Sequence, residues 1–113
     1  MKTMSTFHTL YTKYSNTGEL VSKPNECRLY QNLPQSFYKI ARIKFDIAET
    51  SYVRLGVYDE FGKEVCVLVN KELKDGSYEV VWQALNVKPG IYLYKIKAGE
   101  FSDTKKTFLL KTV

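Results

Sequence analysis

Histidine is nearly absent: His8 is the only one in 113 residues, which excludes a zinc site built from several histidines. Cysteine is scarce as well. Cys27 and Cys66 stand far apart in the chain, which excludes a Cys-x-x-Cys metal knuckle and is far from a disulfide framework. They are expected as free structural thiols, with pairing left open. The six glycines are scattered and form no phosphate-cradling loop. No apolar run approaches the roughly 18–20 residues of a membrane helix, so no membrane span is expected. The first fifteen residues, MKTMSTFHTLYTKYS, lack the continuous apolar stretch of a secretory signal. If Met1 is the native start, the chain is expected in the cytoplasm. If it is a piece of a longer exported chain, it belongs at the cell surface or in the medium.

What is present favours a β domain. Apolar residues make up 44% of the chain, enough for a core, and the length suits one domain. Nine tyrosines and six phenylalanines accompany abundant Val, Ile and Thr, the residues that suit half-buried pleated surfaces. The net charge of +5 points toward acidic partners. However, the lysines and arginines are spread along the chain, Lys105-Lys106 being the densest spot. With no basic helix, zinc finger or RNA-binding aromatic motif, no nucleic-acid partner is expected.

Apolar residues recur with period two rather than 3.6. Ile43, Phe45 and Ile47 share one face of RIKFDIA. Val53, Leu55 and Val57 share a face in YVRLGVYD, as do Tyr78, Val80 and Trp82 in SYEVVW, and Tyr92, Tyr94, Ile96 and Ala98 in IYLYKIKA. The closing TKKTFLLKTV reads as a strand with Phe108 and Leu110 inward, and Arg28 to Gln31 as a short one. Turn signals ETS, DEFG, KDG, KPG and AGEFSD separate the runs. The pattern predicts an all-β, antiparallel sandwich of about seven strands over residues 27–113, with Trp82, Tyr94 and Val57 in its core. A sugar-stacking role is the sharper alternative for Trp82. Residues 1–26 read as an extension: a hairpin around SNTG involving Tyr11 and Tyr14, then the linker SKPNE.

One carboxylate pair invites a catalytic reading. In VYDEFGKEVCVLV, Asp59 and Glu60 lie between two apolar runs. Asp suits the first position of a type I turn, where its carboxylate accepts from backbone N–H groups ahead of it. Gly62 supplies the positive φ that feeds such a turn back into a strand. Asp59 and Gly62 are thus expected as structural turn residues. General acid–base chemistry would need carboxylates facing one cavity, for example Asp46, Glu49 or Asp59 gathered together. No nucleophile has an evident base nearby, so neither an enzyme nor a cofactor is expected.

Read in order, the runs resemble a known family. The LYQN opening at Leu29 to Asn32, the VYDxxGxxVxxLV hairpin from Val57 to Val69 and the GxxxVxW strand from Gly76 to Trp82 come first. NVKPGIYLYKI from Asn86 to Ile96 and KKTFLLK from Lys105 to Lys111 follow. Together they resemble the C-terminal sorting domain of proteins exported by the type IX secretion system. The related Ig-like domain of flagellar hook-capping proteins shares part of the pattern. The resemblance implies a non-catalytic, seven-stranded Ig-like sandwich that addresses a cargo protein to the outer-membrane export machinery and is often cleaved at the surface. It implies sorting or partner recognition through Gly90 and Tyr92 and through Lys105, Lys106 and Lys111. Where the family carries a YPNPFNP-like segment, this chain reads LPQSFYK, in which Pro34 and Phe37 correspond.

The alternative is a standalone Ig-like binding module for a protein partner or glycan. Two features bear on partners. Lysines on an edge strand discourage unwanted pairing, yet a receptor adding a strand to that edge would use the same backbone. Arg42, Lys44, Arg54, Lys95 and Lys97 would form one basic patch if their strands are neighbours. Tyrosine-rich outer faces and strand edges leave a homodimer open.

Overall fold

A computed structural model describes residues 24–111 and, before them, the backbone of Thr12–Lys13. The expected N-terminal hairpin, with Tyr11, Tyr14 and His8, lies outside the described residues. Alternation dictates the architecture. A strand with every second residue apolar has one face to bury, and two such sheets bury those faces against each other.

Nine strands are present among the described residues: β1 (Thr12–Lys13), β2 (Arg28–Leu29), β3 (Ser36–Phe37), β4 (Ile40–Ile47), β5 (Ser51–Asp59), β6 (Glu64–Leu73), β7 (Gly76–Gln83), β8 (Gly90–Ala98) and β9 (Phe101–Leu109). They form a four-stranded sheet, β1-β7-β4-β2, and a five-stranded sheet, β3-β9-β8-β5-β6. Pairing β4 with β7 in one sheet and β9-β8-β5 in the other is the connectivity of immunoglobulin-type sandwiches, with β6 added beyond β5. All pairs are antiparallel except β3 with β9, which run parallel. That exception arises because the chain changes sheets between β2 and β3.

The core lies between the sheets. Ile43, Phe45 and Ile47 from β4, and Val80 and Trp82 from β7, meet Val53, Leu55 and Val57 from β5 and Tyr94 and Ile96 from β8, each at most 1% exposed. Phe45 stacks on Tyr78, and Trp82 meets Phe37 and Tyr92 edge to face with ring centres 5.5 and 5.3 Å away. Burial of Trp82 at 1% exposure leaves no face for a sugar to stack on.

The closing strand departs from expectation. Its inward residues are Thr107 and Leu109, both buried, whereas Phe108 is half-buried and Leu110 exposed. Three consecutive apolar residues, Phe108 to Leu110, leave the parity ambiguous. It is settled by a polar residue, Thr107, that the core needs.

Between β5 and β6, Asp59 makes the turn. Its carbonyl accepts from the Gly62 N–H at 3.0 Å, and its carboxylate accepts from the N–H groups of Phe61 and Lys63 at 2.9 Å each. Gly62 has φ 87°, a conformation that a side chain would strain. The carboxylate of Asp59 is occupied in holding the backbone.

Candidate functional site

The chain segment that changes sheets is bound to the closing strand. It leaves β2, runs through Tyr30 to Gln35, and arrives as β3 alongside β9. Asn32 is its anchor. Its backbone N–H donates to the Tyr94 hydroxyl at 2.8 Å, and its side-chain amide donates to the Thr107 hydroxyl at 2.9 Å and the Pro34 carbonyl at 3.0 Å. The Tyr94 hydroxyl donates in turn to the Tyr30 carbonyl at 2.7 Å, and the Thr107 hydroxyl to the Gln35 carbonyl at 2.9 Å. Asn32 and Thr107 are the buried polar residues of the core region, 3% and 0% exposed. In so dry a place each polar atom must find a partner, and these do. Burial pushes the Tyr94 hydroxyl up to about 12, against the lowering effect of the Asn32 N–H.

The second part of the site is the corner that leads into β8. Gly90 has φ 147°, and the Tyr92 hydroxyl reaches back to donate to the Lys88 carbonyl. The same device occurs one corner earlier: Gly76 has φ 152°, and the Tyr78 hydroxyl donates to the Lys74 carbonyl at 2.7 Å. The two segments, KDGSY and KPGIY, share the pattern Lys-x-Gly-x-Tyr. Each is a tyrosine corner, a ring packed in the core whose hydroxyl ties down the turn before it. Burial raises both hydroxyls above the usual tyrosine value.

The terminal lysines differ from one another. Lys105 stands on the inner side of β9 and pairs with Asp103 at 3.8 Å. Lys106 stands on the outer side, and its carbonyl accepts from the side-chain amides of Gln31 at 2.7 Å and Gln35 at 3.2 Å. Lys111 is exposed beyond the strand. The expected open edge at these lysines is therefore occupied only at its end. There β3 pairs with Phe108 and Leu109, and the Phe108 and Leu110 N–H groups donate to Gln35 and Phe37. From Phe101 to Thr107 β9 lacks a strand on that side among the described residues. The inward Asp103–Lys105 pair there is the kind of charge that guards an edge.

The five-residue basic patch is not formed. Arg42 and Lys44 lie on β4, in the four-stranded sheet, while Arg54, Lys95 and Lys97 lie on β5 and β8, in the other. Arg54 pairs with Glu64 at 2.9 Å and Arg42 with Glu79 at 3.9 Å. Nor do the carboxylates gather. Asp46 lies on β4 and accepts from the hydroxyls of Tyr30 at 2.6 Å and Ser77 at 2.8 Å, while Asp59 closes the far end of β5 in the other sheet. No group of three or more metal-ligating side chains occurs among the described residues, and no helix is long and apolar enough to cross a membrane. Cys27 and Cys66 are free thiols; burial, with the nearby Glu64 charge adding to it, pushes Cys66 up to about 12. This is an inert, half-buried thiol rather than a nucleophile.

Sequence reasoning placed Tyr78 on the buried face and Asn32 in the LYQN opening without their hydrogen-bonding roles, and it did not single out Thr107. The repeated Lys-x-Gly-x-Tyr spacing is the signal that would have shown Tyr78 to be a corner. Nothing in the local sequence marks Thr107.

The family model described as the secretion system C-terminal sorting domain matches residues 37–110, from β3 through the end of β9. Neither the curated proteins nor the solved structures searched contain a match to the chain. The matched span holds the Tyr92 corner, the Tyr94 and Thr107 hydroxyls and the closing strand. The chain belongs to the family of secretion system C-terminal sorting domains, the sorting signal of type IX export.

Proposed function

We propose that this domain acts without catalysis, as the tail by which the outer-membrane export machinery recognises a longer cargo chain and delivers it to the cell surface or the medium. The observation that carries this reading is the family match over residues 37–110, a span that includes the Gly90–Tyr92 corner and the closing strand, to which the resemblance assigns sorting. Within it, Gly90 and Tyr92 pair in register with Leu109 and Thr107, so the corner and the closing strand make one unit. In that unit the roles divide. Gly90 and Tyr92 shape the corner from inside, since the Tyr92 ring is buried and its hydroxyl already used. Lys106 and Lys111 are the exposed members that a receptor meets, and Lys105 guards the strand edge.

The test is export of a reporter enzyme carrying a signal peptide at its N-terminus and this chain at its C-terminus, in a bacterium with a type IX system. Reporter at the surface or in the medium, and its retention when the system is deleted, is the expected result. A reporter that stays in the periplasm in both strains would overturn the sorting reading and leave a binding module.

A further inference from the structure

The outer face of β8 and β9 carries a feature explained neither by the Tyr92 corner nor by the strap, the segment from Tyr30 to Gln35 that crosses between the sheets. Side chains alternate along a strand, and Tyr92, Tyr94, Thr107 and Leu109 point into the core, so Ile91, Leu93, Phe108 and Leu110 point out. Ile91 and Phe108 are cross-strand partners; Leu93 follows along β8, and Leu110 lies just past the end of β9. Ile91 is 36% and Leu110 37% exposed, with Leu93 and Phe108 half-buried. They form one apolar cluster at the C-terminal end of the sheet.

Along β8 and β9 the charge next to this cluster is positive, while on the turn side Ile91 shares a depression with Asp59, Glu60 and Glu64. Lys106 stands opposite Leu93, Lys95 opposite Thr104 and Lys97 opposite Ser102. Every charged side chain that β8 and β9 present on this face is a lysine, because Asp103 and Lys105 belong to the inner side. A shallow depression of about 320 Å³ is lined by Arg54, Lys95, Lys97 and Thr104 together with Asp103, and the Lys95 ammonium lies 4.6 Å from the centre of the Tyr58 ring. An apolar centre with a row of lysines along one side is the anatomy of a protein-docking surface. The lysines steer an oppositely charged partner, and the apolar cluster holds it. A polysaccharide would match the lysines and leave Ile91, Phe108 and Leu110 without an anchor.

We propose that the outer face of β8–β9 docks an acidic protein surface of the export machinery, which seats an apolar side chain on Ile91 and Phe108 and sets carboxylates against Lys95, Lys97 and Lys106. This rests on the sorting reading above and adds to it the face that is read and the chemistry of what reads it.

The same reporter fusion tests it, with two variants. Ile91→Ser/Phe108→Ser removes the apolar centre; Lys95→Glu/Lys97→Glu/Lys106→Glu reverses exposed charges and leaves the core untouched. Both purified chains are first checked for an unchanged melting temperature. The expected result is an export loss of about tenfold or more for each, the weight of a lost anchor or of a reversed charge cluster. A photo-crosslinking residue at Leu110 is expected to capture an outer-membrane protein that the same residue at Arg42, on the opposite sheet, does not capture. Charge-reversed chain exported like the parent, or a Leu110 crosslink to the chain's own passenger, would overturn the proposal. If the serine variant unfolds, the lysine variant decides alone. A parent fusion that is not exported fails at the earlier step and sinks the sorting reading together with what rests on it.

Discussion

The side-chain amide of Asn32 donates to the hydroxyl of Thr107 at 2.9 Å, across 75 positions of sequence, in a place closed to solvent. Thr107→Val keeps the shape and deletes the hydroxyl, leaving Asn32 without one partner and the Gln35 carbonyl with the Phe108 N–H as its remaining donor. The expected cost is about 1–3 kcal/mol, because a buried polar group then goes unpaired. Urea unfolding measures it. A midpoint equal to the parent's would remove this bond from the forces that hold the strap.

Trp82 is 1% exposed and packed between Phe37 and Tyr92. Trp82→Ala is expected to destabilise the domain by about 3–5 kcal/mol, the sum of lost transfer energy and an unfilled cavity. Thermal unfolding reads this directly, and an unchanged melting temperature would contradict its place in the core.

The two tyrosine corners make matched predictions. Tyr78→Phe and Tyr92→Phe each keep the ring and lose one bond to a lysine carbonyl, so each is expected to cost about 0.5–1.5 kcal/mol. If Tyr92 acted by touching a receptor, Tyr92→Phe would abolish export at little cost in stability. If it shapes the corner, the two variants lose stability alike, and export follows stability in both.

Alkaline pH is expected to destabilise the domain. Burial raises the Cys66 thiol from 9.0 to about 12 and the Tyr94 hydroxyl from 10.0 to about 12. The folded state therefore favours the neutral forms, while the unfolded chain ionises first. Their contribution is complete below pH 9.0 and declines as pH rises, through Cys66 and then Tyr94, until the folded groups ionise at about 12. Urea midpoints between about pH 8 and 11 should fall, and Cys66→Val should remove the earlier part of the fall. A flat profile for the parent would contradict the burial of both groups.

The long strands were legible because their chemistry repeats every second residue. In RIKFDIA and IYLYKIKA the polar partners Lys44, Lys95 and Lys97 leave no doubt about which face is buried. The DEFG turn was legible for a similar reason, since Asp59 and Gly62 each fit one conformational role. The closing strand misled because hydrophobicity names Phe108 and Leu110, whereas position in the sandwich favours a threonine whose partner, Asn32, lies at the other end of the domain. The basic patch misled in another way. Alternation tells which residues share a face of one strand, but not which strands share a sheet. Of the strap, the short strand beginning at Arg28 and the LYQN opening were legible, but its route to β3 was not, since two-residue strands carry no period and its bonds run to distant residues. The docking face was hidden by the same parity error, for placing Phe108 inward removes it from the outer cluster.

The strap has a consequence for the order in which the molecule assembles. The Asn32 bonds to Tyr94 and Thr107 span 62 and 75 residues, and contacts of such long range are slow to form because a large loop must close first. The four-stranded sheet draws its strands from residues before Ala84, so it is available while the rest is still being made. Its seam with the second sheet waits for Thr107, nearly the last part of the domain to leave the ribosome. A chain broken off before that point keeps most of its strands and cannot fasten the strap. The finished clasp thus reports that the closing strand of the sandwich has been made and has taken its place against the segment that follows β2.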